Sequence, residues 1–594
     1  VVAVVAAFFP ALANEFVNWD DDLNLTDNPY WRGLGPVQLR WMFTVLHGGH
    51  YQPLSWISYA VDYEIWGLAP FGFHLTNLAL HAANAVVLWL VVMELLRVAE
   101  PPGRMEPPNV VPLAAAVGAL FFAVHPLRVE SVAWASERRD VLSGLFFLLT
   151  ILAYLRAARD PARRRGWLVL ATAWFALSLL SKAWAITLPA VLLVLDAYPL
   201  RRLGAGRPVW PVLAEKIGFV VLAAGAAALA LLAQNVEAIR PLALHGAAAR
   251  VAQAAYGLCF YVWRTIVPVG LSPLYLLEMP LDPTEPRYVL SLGAVVAAAV
   301  ALFLLRRRAP WLVAAVACYV LVVSPVLGFV QSGQQKVADR YTYLACLPFA
   351  VLVAAGVRHA ALAWPSWARR LGAAGAGGVL VTLGVLTAAQ TLRWRDSMTL
   401  WTHALALDPA NYIAATNRGV ARQLAGDIDG AVADYDAALA ANRAHAEAYK
   451  NRGTARAARG QWDAAIVDYD VAIRLKPQYA DAYVSRGAAR EQKSDLAGAL
   501  ADYAQACMLD PGHARALYGR ANMRATRGDL AGAIADYGEA LRINPGYVEA
   551  WNNRGLARRR AGDEAGARAD FTRALMVAPP AWPGRRLIER NLAP

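Results

Sequence analysis

The stretch AEAYKNRGTARAARGQWDAAIVDYDVAIRLKP, residues 446–477, decides the architecture of the C-terminal third of the chain. Small residues, an aromatic and a closing proline recur in it at fixed places, and the same frame repeats every 34 residues. Five copies align on Asn417-Arg418-Gly419, Asn451-Arg452-Gly453, Ser485-Arg486-Gly487, Gly519-Arg520-Ala521 and Asn553-Arg554-Gly555. Ala431, Ala465, Ala499, Ala533 and Ala567 follow, then Tyr435, Tyr469, Tyr503, Tyr537 and Phe571, and Pro477, Pro511, Pro545 and Pro579 end four copies. A period of this length predicts stacked helical hairpins that each bury an apolar face on the next.

The pattern closely resembles the tetratricopeptide (TPR) repeat, in which small residues let paired helices approach. Arg418, Arg452, Arg486, Arg520 and Arg554 precede Asp434, Asp468, Asp502, Asp536 and Asp570 by a constant 16 residues, an offset that predicts ion pairs across antiparallel helices. Asn417, Asn451 and Asn553 stand one residue earlier. By resemblance they fall on the concave face, where they could grip a peptide backbone or simply be solvated. In the third copy Ser494 stands where the others carry a turn glycine, and a partial copy, Trp401 to Pro409, joins the array to what precedes it.

Upstream of about Arg393 the chain changes solvent. Of 594 residues, 58% are hydrophobic and 17% charged, against about 45–50% and 25% in soluble domains. A bilayer-crossing helix needs about 20 largely apolar residues. Candidate spans lie near 73–96, 110–124, 141–155, 167–181, 184–198, 216–233, 288–305, 311–330, 343–357 and 371–390. Val1 to Ala13 reads as the end of another whose beginning lies before Val1, which gives eleven.

The formal net charge of +13 would raise the question of nucleic acid in a soluble protein. Here the arginines lie in short loops between apolar segments, with no basic stripe of interleaved aromatics, and nucleic-acid binding is not expected. Arg156, Arg159, Arg163–Arg165, Arg201, Arg202, Arg207, Arg306–Arg308, Arg358, Arg369 and Arg370 all face the cytoplasm if the spans alternate. Residues 251–270, which hold Arg264, Pro268 and Gly270, break that alternation and read as an interfacial or re-entrant helix. The loops 14–72, 125–140, 234–287 and 331–342 and the repeats then share the outer side.

Those outer loops hold the reactive residue types. Phe16-Val17-Asn18-Trp19-Asp20-Asp21-Asp22 places carboxylates just outside a span, where one could take a proton from a hydroxyl nucleophile; solvated acids at a helix end would look the same. His125, Arg128 and Glu130 lead to Glu137, Arg138, Arg139 and Asp140, a charge density suited to an interface or a polar cavity, as an anion site or as salt-bridged scaffolding. Lys336 and Asp339-Arg340-Tyr341 form a third group, and Lys182 lies on the same side. Cations converging on a carboxylate could neutralise a departing phosphate. Cys259, Cys318, Cys346 and Cys507 lack metal-ligand spacing and read as packing residues, and no metal site is expected. A Walker loop, His-Glu-x-x-His, Cys-x-x-Cys and a serine elbow are all absent from the sequence.

Phe16 to Asp21, His50-Tyr51-Gln52-Pro53-Leu54-Ser55-Trp56, His74-Leu75-Thr76-Asn77, His125 to Asp140, Leu180-Ser181-Lys182 and Ala338 to Leu344 resemble the transmembrane-and-TPR O-mannosyltransferases and their bacterial relatives. The resemblance covers essentially the whole chain. It implies an all-α protein: a polytopic GT-C-like membrane domain over 1–392, a connection over 393–411, five TPR repeats over 412–581 and a tail over 582–594. It also implies an inverting glycosyltransferase moving mannose or another hexose from a polyprenyl-phosphate donor to Ser or Thr hydroxyls of proteins held by the repeats. Carried over by position, Asp20 and Asp21 are the catalytic acids, and Arg138, Arg139, Lys182 and Arg340 bind the donor phosphate. His125, Glu130, Asp140 and Asp339 support the site, and Asn417, Asn451 and Asn553 bind peptide. The chain departs from the family at Trp19, where tyrosine is usual, and at Arg139, where lysine is usual. A bacterial inner-membrane location with periplasmic repeats is implied. Whether a divalent metal assists stays open. Two rivals remain: a glycolipid or envelope-polymer transferase, and a non-catalytic membrane scaffold.

Overall fold

Proline sets the starts of the apolar helices in a computed structural model of the chain, which describes residues 1–99, 106–203, 206–235, 246–278, 280–329 and 333–592. Pro36, Pro53, Pro70, Pro286 and Pro310 each open a helix, where the missing N–H is one the helix would leave unpaired anyway. The structure is helical almost throughout, and contacts divide it into two units, Val1–Leu407 and Asp408–Pro594. Helix Ser397–Leu407 therefore belongs to the first unit, and Trp401 is fully buried there.

Every expected span is helical, but fewer are long. Among the described residues, Pro70–Val98, Ala135–Arg159, Pro286–Leu305 and Ser366–Trp394 are long and apolar enough to cross a membrane, and two bent pairs, Val110–Ala123 with Pro126–Ala133 and Asp339–Ala345 with Leu347–Ala363, bring the number to six at most. Among the described residues this is fewer than the eleven expected. Ala183–Ala197 and Pro310–Val326 are shorter apolar helices of 10–17 residues, and helix Ile217–Asn235 has 19. Residues 251–270 fall on the amphipathic helix Ala247–Ile266. The outer loops 234–287 and 331–342 lie partly outside the described residues.

Two β-strands carry a positional consequence. Tyr275–Leu276 pairs antiparallel with Gln335–Val337, which holds the Tyr275 hydroxyl 3.1 Å from the Asp339 carboxylate and Lys336 2.6 Å from Glu278.

In the second unit each repeat is a helical hairpin, beginning with Tyr412–Leu424 and Ile428–Ala441. A methyl group on Gly453 would lie 2.7 Å from the Tyr469 ring, so the helices pack this closely only with glycine there. The aspartates that follow the turn cap the second helices: Asp427, Asp495, Asp529 and Asp563 accept the N–H of Gly430, Gly498, Gly532 and Gly566. The 16-residue offset is an ion pair in every copy, Arg418–Asp434, Arg452–Asp468, Arg486–Asp502, Arg520–Asp536 and Arg554–Asp570, at 2.6–2.7 Å. Arg452 and Arg486 also reach back 2.6 Å to Asp436 and Asp470 of the preceding copy, whereas Ala504 and Gly538 occupy the matching places later. Ile588 of the final helix Arg585–Leu592 is buried and closes the apolar end.

Ser494 keeps the turn geometry of the other copies at a cost. Its φ of 62° is left-handed, like the 72–87° of Gly426, Gly460, Gly528 and Gly562. A side chain in that region is disfavoured by about 1–2 kcal/mol, offset partly by glycine's larger unfolded-state entropy. Ser494→Gly is expected to stabilise the repeat unit by about 0.5–1 kcal/mol, read as a rise in its urea midpoint.

Candidate functional site

The opening turn is fixed by the end of its own unit. Glu15 N–H donates to the Arg395 carbonyl at 2.8 Å, Asn18 N–H to Ser397 Oγ at 2.9 Å, and Trp401 Nε1 to Asn18 Oδ1 at 2.6 Å. Trp19 stacks on Trp134, centroids 6.3 Å apart, and meets Trp401 edge-on at 5.2 Å. This anchoring holds Asp20 at a φ of 77°, a conformation that residues other than glycine adopt rarely and chiefly where surroundings enforce it.

The two adjacent acids have different fates. Asp21 is fully buried, its Oδ2 accepting the Val17 N–H at 3.0 Å and its Oδ1 the Ser136 N–H at 2.9 Å. It fastens the opening turn to the second outer loop, each oxygen accepting one backbone N–H. The Asp20 carboxylate has no hydrogen bond or ion pair among the described residues. Burial pushes its pKa up, and the charges of Arg139 and Arg340 pull it back. Residues from three loops thus act on one carboxylate.

Burial also drives Asp21 up to about 7, against the backbone donors that favour its charged form. Because the folded value lies above an unfolded value near 4, its contribution to stability is present at low pH and is lost as pH rises through about 7. The thermal midpoint of the membrane unit in detergent is expected to fall between about pH 4 and 7, and Asp21→Asn to flatten that fall.

Glu137 is the hub of the second loop. It is fully buried, with Arg139 at 2.7 Å and Lys182 at 2.5 Å. Lys182 also pairs with Asp140 at 2.6 Å, and Asp140 accepts a hydrogen bond from Ser131 Oγ at 2.9 Å. The third group closes on the first two: Glu130 accepts the Arg340 backbone N–H at 2.7 Å and pairs with its guanidinium, which also lies over the Trp134 ring at 5.5 Å. Asp339 receives the Tyr275 hydroxyl. Asp20, Arg139, Lys182, Arg340 and the supporting acids Glu130, Asp140 and Asp339 therefore belong to one linked neighbourhood.

Two expected members are spoken for elsewhere. Arg138 is fully buried and donates to Asn77 Oδ1 at 2.8 Å, the Ser58 carbonyl at 3.1 Å and the Phe73 carbonyl at 2.8 Å, with Asp62 2.5 Å away and the Tyr59 ring beneath. Four contacts thus face the five N–H groups of this buried guanidinium, which ties it to the packing of the neighbouring helices. His125 caps the turn Pro126–Arg128 by accepting the Leu127 N–H, and its Nε2 lies 3.0 Å from the Thr265 carbonyl. It shapes the backbone.

In the sequence Glu137 stands out only as part of the charged run 137–140, and Trp134 and His50 do not stand out as site members. His50 feels Arg139, Lys182, Glu137 and Arg340, and burial, helped by those cations, holds its pKa well below the usual imidazole range, so it stands neutral beside the cluster. Its place in the quoted His50-Tyr51-Gln52 run was the available signal. In the repeats, Asn553 donates to Tyr518 and Asn522 of the preceding copy at 2.9 and 3.2 Å, and Asn451 accepts from Lys450 at 3.3 Å. The amide of Asn553 thus serves the solenoid first.

Residues 453–494 and 521–562 match the family described as TPR repeat. Among curated proteins, the chain is 31% identical over 153 residues to protein O-mannosyl-transferase TMTC4 of Mus musculus, covering 25% of this chain and 21% of that one. It is 30% identical over 182 residues to protein O-mannosyl-transferase tmtc2 of Xenopus laevis, covering 30% and 20%. Protein O-mannosyl-transferase Tmtc1 of Drosophila melanogaster is 36% identical over 139 residues, 23% and 14% of the two chains. The chain thus spans about a fifth of the length of the curated relatives it matches first. Among solved structures, that of MamA aligns with 27% of this chain and 93% of its own, at 26% identity and a TM-score of 0.25.

Proposed function

We propose that the chain is a membrane glycosyltransferase that moves a sugar, mannose or another hexose, from a polyprenyl-phosphate donor to Ser or Thr hydroxyls of proteins bound by its repeats. The observation that supports this reading is the Asp20 carboxylate on its left-handed turn, without a hydrogen bond or ion pair among the described residues, near the Arg139–Glu137 and Arg340–Glu130 pairs. Names of relatives matched over part of the chain point the same way.

In this mechanism the donor phosphate lies against Arg139, Arg340 and Lys182. Each of these cations already has a carboxylate partner, so they are positioned before a ligand arrives and need little reorganisation as charge develops on the leaving phosphate. Asp20 takes the proton of the acceptor hydroxyl as oxygen attacks the anomeric carbon; the bond to phosphate breaks and the configuration inverts. Its raised pKa strengthens it as a base. Asp21, Arg138 and the Trp19–Trp134 stack keep the loops in register.

The repeats bind the acceptor polypeptide, with Asn417 and Asn451 among their contacts, in an outer-side arrangement that is periplasmic if the host membrane is a bacterial inner membrane. The fold of the membrane unit is taken to be of the GT-C class. The test is intact-mass measurement of Ser- and Thr-containing peptides incubated with the purified protein and a panel of polyprenyl-phosphate sugars. Addition of one hexose supports the reading; unmodified peptides with a sugar-modified lipid or polymer point to the glycolipid alternative.

A further inference from the structure

Helix Arg164–Ser181 ends at Lys182 of the acid–cation cluster. It begins, about 27 Å away at 1.5 Å per residue, at a second buried charge network. There Asp196, fully buried, accepts the Tyr154 hydroxyl at 2.7 Å and pairs with Arg202 at 2.8 Å and Lys216 at 2.6 Å. Arg202 also grips Glu215 through two bonds of 2.7 and 2.8 Å, and Arg164 pairs with the same carboxylate. Three cations thus meet two anions. Positive charge is left over, and the neighbours add to it: Arg163 and Arg165 are exposed and form no ion pair among the described residues.

An open groove of about 470 Å³ runs on from this end. Leu168, Thr172 and Ala176 form one wall, Phe219 and Leu222 the other, and Glu215 stands at its mouth with its charge already taken. From Leu168 to Ala176 the wall measures about 12 Å, close to the depth of one leaflet of a core about 30 Å thick. Beside the mouth, Trp210 is 71% exposed, with Val209 and Leu213 exposed around it. An amphipathic aromatic among arginines is the side-chain set found at a lipid headgroup level.

We propose that this is a binding site for an anionic phospholipid of the arginine-side leaflet, its acyl chain in the groove and its phosphate against Arg163 and Arg165. The commitment to an anionic lipid follows from charge complementarity with the surplus cations and from a groove whose length suits one leaflet. The site lies at the other end of the helix from the proposed sugar donor and does not depend on that function.

The test titrates phosphatidylglycerol, phosphatidylcholine and inorganic phosphate onto the full chain in detergent, with bound lipid counted by native mass spectrometry. Phosphatidylglycerol is expected to bind at least tenfold more tightly than phosphatidylcholine. Arg163→Gln with Arg165→Gln is expected to weaken phosphatidylglycerol by roughly 10–30-fold, and Arg306→Gln with Arg307→Gln to leave it unchanged. Ala173→Trp, which fills the groove, should weaken both lipids. Equal affinity for the two lipids, wild-type affinity in the Arg163/Arg165 double variant, an equal loss in the Arg306/Arg307 variant, or displacement of lipid by phosphate alone would each overturn the proposal.

Discussion

Asp20→Asn is expected to lower sugar transfer by roughly 10²–10⁴-fold, the range that general-base assistance contributes, while the protein inserts and melts as the wild type does. The two side chains are nearly isosteric, and the Asp20 carboxylate holds no ion pair or hydrogen bond among the described residues that the change would break. Its left-handed backbone suits asparagine as well as aspartate. The measurement is the initial rate of transfer from a polyprenyl-phosphate sugar to a Ser/Thr peptide in proteoliposomes. Near-normal transfer would falsify the base assignment. Asp21→Asn, by contrast, removes an acceptor from the Val17 or Ser136 N–H and should lower stability and rate together.

Arg138→Met is expected to destabilise the membrane unit by about 3–5 kcal/mol, the range seen when one partner of a buried ion pair is removed. Methionine fills much of the volume but abandons Asp62, which is buried with Arg138 2.5 Å away and Thr76 Oγ1 at 2.7 Å. The carbonyls of Ser58 and Phe73 and the Asn77 amide oxygen also lose their donor. Arg139→Gln is the informative contrast. Its partner Glu137 keeps Lys182, so that variant should fold and lose transfer. Thermal unfolding in detergent, read beside the transfer rate, separates the two outcomes. An Arg138→Met protein that melts normally but fails to transfer would return Arg138 to the donor site.

These two neighbours show where sequence stops being informative. Arg138 and Arg139 open one helix, and consecutive residues there point about 100° apart. One side chain therefore enters the packing against Asn77 and Asp62 while the next meets Glu137. Nothing in the order Glu-Arg-Arg-Asp says which is which, because the deciding partners lie on helices Pro53–Trp66 and Pro70–Val98. Asp20 and Asp21 pose the same problem, resolved by a left-handed turn at Asp20 and by the distant Ser136 N–H.

The repeats were legible for the opposite reason. Their decisive contacts are local: the offset of Arg418 from Asp434 recurs with the 34-residue period and is satisfied within each hairpin. Even the exception at Ser494 obeys the pattern, taking a φ of 62° where glycine would be relaxed. Membrane spans fall between these extremes. Apolar character located the expected spans but missed Pro36–Thr44 and Pro53–Trp66 within the loop 14–72, and usable lengths depend on breaks such as the 58° bend between Val110–Ala123 and Pro126–Ala133, where proline and buried charge interrupt an apolar run.

The claim on which the mechanism rests is that the charges around Asp20 receive a lipid-linked phosphate. Photocrosslinking with a polyprenyl-phosphate probe carrying its reactive group beside the phosphate, followed by peptide mapping, addresses it most directly. The expected adducts lie on peptides containing Asp20, Arg139 or Arg340, and unlabelled polyprenyl phosphate displaces them. Competed adducts confined to other segments, with these three peptides unlabelled, would contradict the account.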